Sequence, residues 1–398
     1  DDSGRVKISA KDILDLATND KALAPKPSNG YLAADVTTAA TTAVLTPDGI
    51  GDAEYPASGI AAIGSELVFY TRAGDTLTLS ARAVRGSKIG NHKSGDSVQV
   101  VLSIRAMRVD TFIQMLLVTY GGINPAFVPL TTKWQPEINR WAPGLLLDTD
   151  IVTPTGVTKL VGELASIGLL ISWNSTTQEI GLKMNRPVDN DVVHILTDDS
   201  HIIDIEAEKR EDDRLTQAVF FTVQEDPTRP VTELSNYNVV LNRIDTAAQS
   251  AEEYGTPKIR NVPVRFFNGG ATADVSVLAK RLLNRFRDPP TRYTVTLDNK
   301  DGDVELTDVL EVTSSKITDE TGKAKTTLLQ VVKKIESSPG RRFKVQAQLF
   351  QYSGRYAFIT DNARPGYGAS SAAQKKNGAY FSNAGAAFAD GGDAYRFI

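Results

Sequence analysis

Residues 292–351 read RYTVTLDNKDGDVELTDVLEVTSSKITDETGKAKTTLLQVVKKIESSPGRRFKVQAQLFQ. Tyr293, Val295 and Leu297 alternate with Thr294 and Thr296, and Val304 and Leu306 follow a turn over residues 298–303. An apolar run covers residues 328–335. Phe343, Val345, Ala347 and Leu349 then alternate with Lys344, Gln346 and Gln348. A period of two sends alternate side chains to opposite faces of a strand. Asp301-Gly302, Thr321-Gly322 and Pro339-Gly340 supply the turns. Four or so strands with short turns bury their apolar faces by closing into a barrel or by packing on a second sheet. A helix over residues 273–287 runs directly into this stretch, which holds no catalytic group.

The chain has 398 residues, enough for two or three domains with their own cores. Its hydrophobic fraction of 41% and charged fraction of 23% are those of a folded globular protein. The net charge of −4 argues against a dedicated nucleic-acid binder, which needs clustered Lys and Arg. With no cysteine, disulfides, thiolate nucleophiles and Cys-ligated metals are excluded. No apolar run is long enough to predict a membrane-spanning helix. The sequence opens at Asp1 without a signal-like core, so the expectation is that its start was removed or that residues precede it.

Outward from residues 292–351, the pattern predicts a β-rich α+β chain of several domains. Ser9-x-x-Asp12 caps a short helix, and residues 21–29 read as a connection. Residues 59–101 form a β unit. In it, residues 67–70 and 77–83 flank the hairpin loop 72–75, and Val98, Val100, Leu102 and Ile104 alternate. Residues 108–120 predict a helix with Phe112, Met115, Leu116 and Thr119 on one stripe. Trp134 and Trp141 bracket a polar turn around Pro136. Residues 155–167 predict a second helix, with Val157, Leu160, Val161, Leu164 and Ile167 on one face. Strands at 169–173 and 180–184 then form a hairpin. Residues 215–223 and 262–266 read as strands, separated by a long loop at 224–241. The helix 273–287 turns Val275, Leu278, Ala279, Leu282 and Phe286 to one side. Residues 361–398, rich in Gly, Ala and Ser, read as an arm that docks through spaced aromatics.

The chemistry in the sequence is sparse. Gly90-x-x-x-x-Gly95 has phosphate-loop spacing, but Asp96 stands where a lysine is needed. His92, His194 and His201 are the only histidines. His194 and His201 flank Asp198-Asp199-Ser200, a set that would act as a hydrolase triad only if its members meet beside an oxyanion hole. Residues 298–303 have the composition of a calcium loop, but Leu297 occupies a ligand position and Lys300 repels a cation. Lys280, Arg281, Arg285 and Arg287 read as a solvated helix face, with an anion or partner contact as the alternative. Residues 206–213 read as a solvated stretch. Asn174-Ser175-Thr176 matches a glycosylation sequon in pattern alone. No catalytic, cofactor-binding or metal-binding residue is predicted, and no cofactor.

Several stretches together resemble the tail-tip, or baseplate, hub proteins of long-tailed bacteriophages. Residues 63–98 resemble a small β unit of phage tail proteins. The resemblance is carried by Ile63, Gly64 and Glu66, by the pair Arg85-Gly86, and by His92, Gly95 and Val98; Ile89 and Gly90 depart from the threonine usual there. Residues 156–187 resemble the helix and hairpin of such hubs, and residues 214–237 and 291–351 their second barrel. The resemblance, which extends to the T-even baseplate hub, implies β-barrel tube modules with smaller peripheral β and α+β domains. On this reading residues 1–29 are a connection or part of a first tube module. Residues 30–105 are a peripheral β domain, 106–188 an α+β subdomain, 189–360 a barrel tube module and 361–398 an arm.

The function this resemblance implies is structural. A homotrimer would form a ring that continues the tail tube and anchors distal tail, tape-measure and fibre or tip proteins, with a lumen through which DNA passes. Acidic lumen residues would keep DNA from adhering. The alternatives are an adhesin that binds host-surface glycan through Tyr55, Phe69 and Tyr70, and a peptidoglycan hydrolase.

Overall fold

The computed structural model describes residues 13–186, 191–268, 272–338, 341–349, 355–357 and 395–397. The chain divides into two units. The first comprises Asp1–Lys183, Val219–Asn242 and Asn261–Ser276, and the second comprises Met184–Ala218, Arg243–Arg260 and Val277–Ile398. The fold is β-rich with several smaller helices.

In the first unit, a six-stranded sheet runs in the order Tyr31–Leu32, Thr42–Thr46, Thr76–Ala81, Glu66–Ala73, Ser58–Ile63 and Val98–Val100. Every pair in it is antiparallel. Strand Ser58–Ile63 shows why the sheet is buried on both sides. Ala61 and Ile63 face a core with Leu45, Tyr55, Val68, Leu77 and Val98, whereas Ile60 and Ala62 face a second cluster with Leu67, Val101 and Val152. The expected hairpin is present, with Gly74-Asp75 between its strands.

The alternation from Val98 to Ile104 is not one strand. It breaks at Val101: Val98–Val100 closes the six-stranded sheet, while Leu102–Arg108 pairs with Leu146–Ile151 in a separate ribbon. Helix Val109–Met115 continues as a π-helical turn through Leu116–Tyr120. Its buried stripe is Phe112, Ile113, Leu116 and Leu117, so Met115 and Thr119 do not carry it. The expected turn between the two tryptophans is instead helical, from Leu130–Trp134 into Gln135–Trp141. Pro136 lies in the first turn of that helix, where its missing N–H costs nothing. The Trp134 indole is fully buried and donates to Ile180 O at 2.8 Å. Helix Val157–Ala165 and the hairpin Leu169–Asn174 with Glu179–Met184 follow as expected.

Part of the loop expected at 224–241 is a strand. Tyr237–Ile244 lies beside Gln217–Gln224, which also neighbours Ile259–Pro263. Two contacts tie residues 265–266 into the first unit. The Arg265 guanidinium meets both Glu163 carboxylate oxygens at 2.8 Å, and the Phe112 and Phe266 rings lie 5.6 Å apart.

The second unit contains a nearly closed, barrel-like sheet of six strands. Its order is Val193–Thr197, Val309–Thr318, Ala324–Ser338, Arg342–Leu349, Thr291–Asp298 and Ile202–Lys209. The first pair is parallel and the others antiparallel. The two end strands are consecutive in sequence and joined by residues 198–201, so the sheet curls until its edges approach. Register shifts near Val331 and Glu336 mark bulges that bend the long strand. The interior is apolar: Leu196, Ile205, Val295, Leu297, Leu310, Val312, Leu329, Val331, Val345 and Ala347 form one cluster.

Val304 and Leu306 do not form a strand. They lie in the connection after the turn, where Val304 is nonetheless fully buried. Helix Thr272–Phe286 matches its expectation. Pro339-Gly340, the Ser9 cap and most of the arm at 361–398 lie outside the described residues. Within that arm, Tyr395–Phe397 pairs in parallel with Arg355–Ala357.

Candidate functional site

Two neighbouring features of the first unit hold its densest polar chemistry. The first is Glu66, which opens strand Glu66–Ala73 and is 1% exposed. Oε1 accepts from Arg82 Nε at 2.6 Å and from the Ala83 amide at 3.2 Å. Oε2 accepts from Arg82 Nη2 at 2.8 Å and from the Gly90 amide at 2.9 Å, and meets His92 Nε2 at 2.8 Å. Burial raises the Glu66 pKa, but the Arg82 guanidinium, the Gly90 amide and His92 outweigh it and hold the carboxyl at about 2.

Arg82 also donates to the carbonyls of Thr37 at 2.8 Å, Ala40 at 3.3 Å and Gly90 at 2.9 Å. The His92 backbone pairs with Val36 in both directions. The loop of residues 82–97 is therefore wound round one buried carboxylate. With its acceptor positions filled, Glu66 organises the loop and is not available as a general base.

The same loop places Arg85 at the second feature, a groove of about 670 Å³. Pro25, Ile60, Phe69, Leu102, Arg85 and Arg105 are among its lining residues. Ala83, Arg85 and Gly86 all have positive φ, at 51°, 57° and 73°. Gly86 has a second constraint: a Cβ there would lie 2.4 Å from the Glu225 carbonyl oxygen.

Asp150, 4% exposed, anchors the groove's charge. Arg105 Nη2 reaches both of its oxygens at 2.7 Å, and the Ser103 hydroxyl donates to it as well. Arg85 Nε lies 3.2 Å from the same carboxylate, and its guanidinium stands over the Phe69 ring at 5.6 Å. Sequence reasoning missed Asp150 and Arg105. The available signal was a pair of aspartates, Asp148 and Asp150, inside the apolar run from Leu145 to Val152.

The residues weighed from sequence do not converge elsewhere. The Asp96 carboxylate accepts from the Lys93 amide at 2.8 Å, closing the Gly90–Gly95 segment as a turn. His194 Nε2 meets Asp308 at 3.0 Å, His201 Nδ1 accepts from the Thr197 amide at 3.3 Å, and Asp198 accepts from the Ser315 amide and hydroxyl at 2.7 Å. The three groups have separate partners and form no triad. The Asp298 carboxylate accepts from the Asn299 amide at 2.6 Å, capping a short turn. Among the described residues no group of His, Asp and Glu could hold a metal ion, and no helix is long and apolar enough to cross a membrane. Asn174 accepts from the Thr177 amide at 2.8 Å within its hairpin turn.

Of the basic residues of helix Thr272–Phe286 and its end, Lys280 is exposed as expected, but the arginines are not a solvated face. Arg281 is 4% exposed, Arg285 donates to Asn185 at 2.9 Å and to Gln330, and Arg287 pairs with Asp245 at 3.2 Å and Glu253 at 3.1 Å. Of the aromatics considered as glycan platforms, Tyr55 and Tyr70 are each 2% exposed in the core and only Phe69 is half-buried.

No family model matches the chain, and no curated protein matches it. Solved structures do. The tail protein from Neisseria meningitidis MC58 superposes with a TM-score of 0.39 at 11% identity, over 81% of this chain and 92% of that one. The 43 kDa tail protein of prophage MuSo2 from Shewanella oneidensis gives 0.34 at 13% identity, over 80% and 93%. A prophage tail protein from Listeria monocytogenes EGD-e gives 0.33 at 10% identity, over 79% and 93%. Superpositions at these scores do not establish a common fold.

Proposed function

We propose that this chain is a structural hub of a bacteriophage tail tip. It assembles as a homotrimeric ring that continues the tail tube, anchors distal tail, tape-measure and fibre or tip proteins, and leaves a lumen for DNA. Its location is the virion tail. The domains are those read from the sequence: a connection at 1–29, a peripheral β domain at 30–105, an α+β subdomain at 106–188, a tube module at 189–360 and an arm at 361–398.

The observation that carries this reading is the curled sheet of the second unit. Its six strands enclose an apolar interior, the form of a wall rather than of a scaffold around a reactive cleft. The sequence resemblance to tail-tip hubs, centred on Glu66, Arg85-Gly86 and His92, points the same way. No catalytic residue is assigned: the buried carboxylate of Glu66 is held by Arg82, His92 and backbone amides, and that of Asp150 by Arg105, Arg85 and the Ser103 hydroxyl. Burial of Tyr55 and Tyr70 removes the platforms on which a glycan adhesin would rely.

Sedimentation of the purified chain tests the proposal. A species at three times the 43.0 kDa chain mass supports it, and a monomer persisting at high concentration opposes it.

A further inference from the structure

We propose that the groove beside Arg85 is a docking site for an acidic, partly apolar peptide segment of a partner protein. Its volume of about 670 Å³ falls within the roughly 300–1,000 Å³ typical of ligand sites. One part of its lining is apolar, with Pro25, Ile60, Phe69 and Leu102. Another part is cationic, and its charges are unequally engaged.

Arg105 directs Nη1 to the carbonyls of Ile104 at 2.7 Å and Thr149 at 3.0 Å, and Nη2 to Asp150. Its Nε lies 3.9 Å from Asp148. Arg85 differs. It is 41% exposed, its Nε faces Asp150, and its terminal nitrogens make no hydrogen bond among the described residues. Asp148 and Asp150 balance Arg105 and Arg85 in number, but Arg85 is the one of the two arginines whose terminal nitrogens remain open to the groove. The Phe69 ring beneath it and Asp150 beside it fix the guanidinium in place, which reduces the entropy lost when its planar fork meets a carboxylate.

This chemistry selects among occupants. A saccharide needs an open aromatic face, and with Phe69 covered by Arg85 and Tyr70 buried, Tyr120 alone among the lining aromatics would offer one. A nucleic-acid strand needs several free cations, and the cluster offers one. An extended peptide with alternating acidic and apolar side chains satisfies both parts of the lining. The inference does not depend on the hub reading, because the groove belongs to the first unit alone.

Calorimetric titration of the full chain tests it, using a capped octapeptide of alternating Leu and Glu, its Leu/Gln counterpart, and an oligogalacturonate. The Leu/Glu peptide is expected to bind. Replacing Glu by Gln in the peptide, or Arg85→Gln in the protein, should weaken binding at least about tenfold, as loss of a charge-assisted pair does. Arg85→Lys should fall between, keeping the charge and losing the fork. The peptide pair reads the charge requirement on unaltered protein, so the test holds even where a variant folds poorly. Equal binding of the two peptides, undiminished binding to a folded Arg85→Gln variant, absence of binding at about 1 mM, or preference for oligogalacturonate would each overturn the proposal.

Discussion

Arg82 and Glu66 form a two-point ion pair, Nε to Oε1 at 2.6 Å and Nη2 to Oε2 at 2.8 Å, at the base of the loop of residues 82–97. Removing one partner of a buried pair leaves the other charge desolvated and unpaired, at a cost of about 3–5 kcal/mol. Glu66→Gln is therefore expected to destabilise the small β domain by about 3 kcal/mol. Hydrogen exchange should rise first at the Gly90 and His92 amides, which depend on this loop's closure. Protection unchanged from the parent protein would show that Glu66 does not organise the loop.

The same carboxylate gives a pH dependence with a definite sign. Its folded pKa, about 2, lies below the ordinary value of 4.5. A depressed carboxyl contributes stability that is complete above the unfolded pKa and fades as pH falls through the folded one. Thermal melts should therefore lose stability between about pH 4.5 and 2, and Glu66→Gln should flatten part of that fall. A parallel decline in both proteins would assign the acid sensitivity to other groups.

Gly86 combines a φ of 73° with a Cβ position 2.4 Å from the Glu225 carbonyl oxygen. Gly86→Ala meets both a disfavoured backbone region and a clash with main chain that cannot rotate away. A loss of about 2–4 kcal/mol in denaturant unfolding is expected, from strain and displacement together. Ala83 already has an alanine at positive φ, so the close approach at Gly86 is the larger contribution. Gly64, at φ 59° with nothing near its Cβ, serves as the control and should cost less when changed to Ala.

Leu329 is fully buried in the interior of the six-stranded sheet. Leu329→Ala should cost about 2–5 kcal/mol by lost burial and the cavity left behind. Under the hub proposal it should also lower the oligomer fraction at a fixed concentration. Leu328, the preceding residue, is 37% exposed, so Leu328→Ala should cost clearly less, about 1 kcal/mol. A similar loss at both positions would contradict the register described.

The barrel-like sheet could be read from sequence because its strands bury one face and leave the other polar. Val295 and Leu297 point inward with Val345 and Ala347, and their alternation survives into the structure. Strand Tyr237–Ile244 hid because its exposed face mixes Val240 and Ile244 with Asn238 and Asn242, so polarity does not follow exposure there. Pro136 suggested a turn where it opens a helix, since proline is as suitable for a first helical turn as for a loop. The basic residues after Lys280 misled in the opposite sense. Their partners, Asn185, Asp245 and Gln330, lie far along the chain, and no local pattern announces them. For the groove, the motif residue Arg85 was visible, whereas Asp150 comes from a different ribbon and meets it only through the fold.

The central claim is that the curled sheet forms part of a wall around a channel. Electron microscopy of the purified chain at low resolution tests it most directly. The account predicts threefold rings with an open centre. Compact particles without threefold symmetry or a central opening, at concentrations where the chain is folded, would contradict it.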